Sequence, residues 1–135
     1  MKRIVDATPY ARFLGVEVER SDGALECILP FRHEIVGNAA LPAVHGVLGA
    51  LLELTALLHL LDDSGSERVP KPITFSVDYL RAAGPSTTRA RAEIFKLGRR
   101  IASVRVVAWQ AAAAARWSRG TASSFCPDEL FRKAS

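Results

Sequence analysis

Glu53 is the only acid between Gly46 and Leu61, inside the otherwise almost wholly apolar run HGVLGALLELTALLHLL. A buried carboxylate is costly unless it has a partner, a cavity or a raised pKa, and such groups concentrate where chemistry is done. The plainer alternative is a Glu paired with a buried Arg or Lys across a dimer interface. His45-Gly46 opens the same run. The free N–H groups of a helix's first turn, with the positive end of its dipole, can hold an oxyanion, and Gly46 lets a ligand approach the backbone closely. His45 either orients a carbonyl or simply caps the helix and fills space. His45 and Glu53 are eight residues apart, roughly 12 Å along a helix, so they cannot touch within one chain. Across a dimer interface, one chain's Glu53 can meet the other chain's helix start.

Fewer residues elsewhere suggest chemistry. The Asn38 amide can bond a substrate or close an Asx-turn, the commoner outcome. Arg81, Lys96, Arg99 and Arg100 fall near strand ends or turns. Surface solvation is their default, although a phosphate-bearing ligand crossing those turns needs such groups. His33 and His59 have no partner spacing for a metal. The serines lack the G-x-S-x-G setting of a serine hydrolase.

The elements that must position these residues follow from periodicity and punctuation. Residues 7–14 read as a short helix, with Thr8 as N-cap, Pro9 at the first helical position and Gly15 as its stop. Residues 16–20 and 24–29 form a hairpin around Ser21-Asp22-Gly23. Periodicity fails between Pro30 and Pro42, a loop. The run from about Val44 to Leu61 is apolar on every side, which means a membrane span or a helix wrapped by its own protein. It is shorter than the roughly 20 apolar residues of a span and holds Glu53 and His59, so a core helix is expected. The acids Asp62 and Asp63 oppose the dipole and are expected to end it. Strands are expected over 73–80, 88–96, 101–109 and 116–125, with Ala111–Ala115 as a short connection. Strands segregated from one wrapped helix give an α+β fold, with helices on one face of an antiparallel sheet. Its open edge predicts a dimer joined edge to edge.

Composition limits the partners. The 135 residues suit a single domain over 1–135, and 49% hydrophobic with 24% charged is ordinary globular usage. The net charge of +4 and pI near 9.5 come from scattered rather than massed basic residues. That argues against nucleic acid and suits a polyanionic small ligand. Cys27 and Cys126 lie far apart, so a disulfide framework is not expected and a reducing cytoplasm is the simpler setting. The start, MKRIVD, shows no secretory h-region.

Asn38, the His45-Gly46 helix start, Leu51-Leu52-Glu53, the strand Val77-Asp78-Tyr79-Leu80-Arg81 and the turn Lys96-Leu97-Gly98-Arg99-Arg100 together resemble the PaaI-like hotdog thioesterases, over roughly residues 10 to 125. The resemblance implies a hotdog fold, one long helix wrapped by an antiparallel sheet, working as a homodimer or dimer of dimers on acyl-CoA thioesters. It implies Glu53 as general base or nucleophile, Gly46 with His45 as the carbonyl-polarising helix start, and Asn38 as a positioning group. Tyr79, Arg81, Lys96, Gly98, Arg99 and Arg100 match where that family holds the coenzyme A nucleotide. No cofactor is implied beyond the coenzyme A of the substrate, and no metal or membrane.

The sequence departs from the family's His-Gly-Gly, with its carboxylate nine positions after the His: here His45-Gly46-Val47 leads to Glu53 after eight. If the missing residue lies in the turn before the helix, Glu53 keeps its place and Val47 follows the anion site. If His45 holds the register, Leu54 takes that place and Glu53 points about 100° away. The first explains a lone buried acid. Two other readings stand beside hydrolysis: a hotdog hydratase or dehydratase, which the missing His-plus-Pro-Gly arrangement disfavours, and a non-catalytic acyl-CoA or fatty-acid binder.

Overall fold

A computed structural model describes residues 2–37, 45–66, 68–80, 83–110 and 118–126, with His45 and the last strand described by backbone only. The chain begins with two short helices, α1 (Lys2–Ala7) and α2 (Pro9–Leu14). α2 begins at Pro9 and stops at Gly15, whose left-handed φ of 70° suits a residue without a Cβ. Thr8 does not cap it. Its hydroxyl instead donates to the Ile4 carbonyl at 2.8 Å, closing α1, a helix that no cap or apolar period in KRIVDA announces.

The hairpin β1 (Glu17–Ser21) and β2 (Ala24–Leu29) pairs as expected. Asp22 and Gly23, at φ 52° and 79°, supply the two left-handed residues of a tight two-residue turn. Within the expected loop, His33–Ile35 winds into one 3-10 turn. The long helix α3 spans His45–Ser64. It runs past the acids expected to end it. Arg20 holds Asp62 at 2.5 Å, which offsets the opposing dipole, and Gly65 at φ 61° makes the actual stop.

The expected strand 73–80 shortens to β4 (Ser76–Tyr79), preceded by a separate two-residue strand, β3 (Lys71–Pro72). Both lie in line against the last strand. β5 (Thr88–Leu97), β6 (Ala102–Gln110) and β7 (Ser118–Cys126) complete an antiparallel sheet ordered β1-β2-β5-β6-β7, with β3 and β4 both paired to β7. The Ala111–Ala115 connection lies outside the described residues. Long helix on antiparallel sheet is the hotdog arrangement, of α+β class.

Packing follows side-chain size. β5 and β6 turn Ala90, Ala92, Ala102, Val104, Val106 and Ala108 toward α3, all buried. This low floor lets Leu48, Leu51, Leu52, Leu58 and Leu61 of the helix sink completely. Each such leucine contributes about 2 kcal/mol of apolar transfer. The opposite sheet face carries charge. Glu26, almost fully buried, accepts from Arg89 at 2.9 Å and from Arg91, while Arg89 also reaches Glu19 at 2.5 Å.

The loop after β4 is tied down by one amide. Buried Gln110 donates to the Gly84 and Ser86 carbonyls and the Thr88 hydroxyl, each at 3.0 Å, and accepts from the Gly84 N–H at 3.2 Å. Among the described residues, no helix is long and apolar enough to cross a membrane.

Candidate active site

α3 is not wrapped on every side within one protomer. Gly46 is exposed, and Gly49, Ala50, Glu53 and Leu57 are only half-buried. These positions recur at helical spacing, so they form one face turned away from the sheet. Gly46 and Glu53 are seven residues apart, two turns less about 20°, which stacks them on that face about 10.5 Å apart. Leu54, rotated by a further 100° or so, is half-buried too and, like Ala50 and Leu57, packs against the core. Glu53 forms no ion pair among the described residues of its own chain.

Gly46 occupies the first turn of α3, where backbone N–H groups have no helical acceptor. Val47 follows it, half-buried against the core. The His45 side chain, Asn38 and Arg81 lie outside the described residues.

Tyr79 comes to this helix rather than to the basic turn. Its hydroxyl oxygen is 3.4 Å from where a Cβ on Gly49 would stand. Gly49 was not singled out from the sequence. A glycine inside a helix costs about 1 kcal/mol relative to alanine, and that cost is the signal that could have marked it.

Lys96, Gly98, Arg99 and Arg100 do come together, with Ile101, around an open groove of about 620 Å³ at the β5–β6 turn. Gly98 has a structural reason to be there. Its N–H donates to the Ile101 carbonyl at 2.8 Å, and a Cβ would sit 2.9 Å from that oxygen. Arg105 lies over the exposed Phe95 ring, 4.8 Å from its centroid, adding cationic and aromatic character nearby. Within one protomer this groove is far from Tyr79. Tyr79 is in register, through Ser118, with Ala108, whereas the groove's Leu97 pairs with Ala102. Six residues of strand separate the two rows, about 20 Å.

No three His, Cys, Asp or Glu side chains among the described residues gather to hold a metal ion. Cys27, beneath α3, is fully buried, and burial pushes its thiol up to about 11, partly offset by the Thr55 hydroxyl.

Comparison with known proteins agrees with this architecture. A crystal structure of a Chromobacterium violaceum protein is 34% identical, covering 93% of this chain and 88% of that one, with a TM-score of 0.74. A phenylacetic acid degradation-related protein from Ralstonia eutropha superposes with a TM-score of 0.75 at 20% identity, covering 92% and 97% of the two chains. A Bacillus halodurans protein crystallised with CoA gives 0.76 at 21% identity, covering 93% and 85%. Among curated proteins, none matches the sequence. The acyl-CoA thioesterase N-terminal domain profile matches residues 37–124, which takes in α3, the strands β3 to β6 and most of β7, and the chain belongs to that thioesterase family.

Proposed function

We propose that the protein hydrolyses acyl-CoA thioesters, of small or medium acyl or aryl groups, at a site shared by two protomers. The observation that carries this reading is the placement of Glu53 on the face of α3 that also bears Gly46 and that the protomer's own sheet leaves half-covered. Glu53 serves as general base or nucleophile. As base it takes a proton from water while the oxygen attacks the thioester carbonyl carbon. The Gly46 N–H, with His45, receives the developing oxyanion, Val47 lies beside it, and Asn38 positions the carbonyl. Collapse of the intermediate expels the coenzyme A thiolate, an easy leaving group.

The partner protomer is required by distance. Gly46 and Glu53 of one helix are about 10.5 Å apart, too far to act on one carbonyl. The β3–β4 edge pairs only with β7 among the described residues, and an unpaired edge is a template for a second strand. A two-fold axis at that edge reverses strand direction in the partner. The Gly46–Tyr79 end of one protomer then lies beside the partner's Lys96–Arg100 groove. There Lys96, Arg99 and Arg100 hold the phosphates of the coenzyme A nucleotide.

The test is release of free CoA from short, medium, long and aryl acyl-CoAs by wild type and Glu53→Ala. Turnover in the wild type that falls about 10²-fold or more in the variant is expected, the usual scale for losing a general base. Turnover untouched by the substitution would remove Glu53 from the mechanism. Tight binding of acyl-CoA without any turnover would favour a binding protein.

A further inference from the structure

The half-covered face of α3 changes character at Glu53. Before it stand small residues, Gly46, Gly49 and Ala50; after it stand two leucines, Leu54 and Leu57. Both leucines touch the core yet stay only half-buried. Over the next turn the face closes. Leu60 and Leu61, on either side of the same line, are 3% and 1% exposed. Leu57 follows Glu53 by four residues, so it lies about 6 Å farther along the axis and is rotated by only about 40°. A substrate whose carbonyl carbon meets the Glu53 carboxylate therefore lays one of its two sides over Leu57.

The two sides of an acyl-CoA thioester differ in what they need. The pantetheine arm is thin, carries amides and must continue to the nucleotide. The acyl group is apolar and comes to an end. An apolar strip that closes one turn past Glu53 suits the group that ends there, and burying it against leucine is favourable. We propose that Leu57, with Leu54 beside it, forms the end wall of the acyl subsite and restricts the substrate to a short chain or a single aryl ring. At about 1.2 Å of advance per carbon of an extended chain, about 6 Å admits about five carbons. The inference rests on the thioesterase reading of Glu53 given above and names the acyl class within it.

The test is kcat/KM for straight-chain acyl-CoAs of four to twelve carbons and for benzoyl-CoA. Wild type should be fastest on chains of about four to six carbons or on the aryl substrate. Leu57→Ala should move the optimum about two to four carbons longer, each newly housed methylene adding about fourfold. Leu57→Phe should shorten it. Leu48→Val, which trims a fully buried leucine on the sheet side of α3, should lower stability and leave the optimum in place. A wild-type optimum at twelve carbons, or an optimum that neither Leu57 variant moves, would overturn the proposal. A second readout needs no turnover: affinity for analogues with a methylene in place of the thioester sulfur, over the same lengths. If wild type hydrolyses nothing, the thioesterase reading falls, while affinity that drops past about six carbons and recovers in Leu57→Ala still reports the end wall. Affinity indifferent to chain length or to residue 57, or no binding at all, defeats the subsite even in an active enzyme.

Discussion

At the scale of single residues, burial decides which groups can react. Cys27 faces α3 from β2 with no exposed surface, and its thiol is held up to about 11 from an ordinary value of 9.0, chiefly by desolvation. A thiolate is the reactive form, so Cys27 is inert as a nucleophile near neutrality. The shift also has a stability consequence. The folded state keeps a proton that the unfolded chain loses above pH 9.0. The contribution is therefore complete below pH 9.0 and is lost as pH rises through about 11. Two pH units correspond to on the order of 2–3 kcal/mol. Urea unfolding of wild type and Cys27→Ala across pH 8 to 11 should show the wild type losing more stability over that window, and parallel curves would contradict the assignment. Glu53 presents the opposite case. It is half-buried, forms no ion pair among the described residues and lies on the helix face to which the proposed mechanism assigns the chemistry. Its lone place in an apolar run was legible in the sequence, whereas the approach of Tyr79 to Gly49 of the same helix could be found only by folding.

At the scale of elements, α3 and the β5–β6 hairpin divide the work. In the proposed mechanism α3 supplies the reacting groups: a helix places Gly46 and Glu53 on one line, and alanines on β5 and β6 let the helix sit low on the sheet. The hairpin turn gathers Lys96, Arg99 and Arg100 around its groove because Gly98 permits the close return of the Ile101 carbonyl. If that groove holds the nucleotide, replacing both Arg99 and Arg100 by Ala should raise KM for acyl-CoA about tenfold and leave kcat unchanged, as expected when binding common to ground and transition state is lost. Acyl-pantetheine substrates, which lack the nucleotide, should be hydrolysed equally by both forms. Loss of activity toward both substrates alike would place those arginines elsewhere in the mechanism.

At the scale of the whole molecule, one protomer holds every assigned element but not at one place. The helix start and the groove lie at opposite ends of the sheet, and Gly46 and Glu53 are two turns apart on one rod. In the proposed dimer, a partner joined antiparallel at the β4 edge would bring the ends together. Mixing makes this testable. Gly46→Pro removes the N–H in a turn that tolerates proline, and Glu53→Ala removes the carboxylate. Each variant alone should be nearly inactive. After random reassociation, about a quarter of the sites should combine an intact Gly46 with the partner's intact Glu53 and recover activity. No recovery in demonstrated mixed dimers would confine the site to one chain.

The sequence alone determined whatever is local. Residues 17–29 declare a hairpin because alternation and an Asp-Gly turn act within a few residues, and the apolar run of α3 declares a buried helix because its period is its own. The lone Glu53 and the clustered cations of the β5–β6 turn were visible for the same reason. Only tertiary structure decided what depends on distant partners. α3 continues through Asp62 because Arg20 reaches it from a strand 42 residues earlier. The expected strand 73–80 shortens to β4, whose ladder partner is the distant β7 and not a chain neighbour. Gly49 receives the Tyr79 hydroxyl because sheet order carries β4 to the edge beside the helix start. Local pattern sets which elements form. Register and long-range contact set which of their residues meet, and the candidate site is made of those meetings.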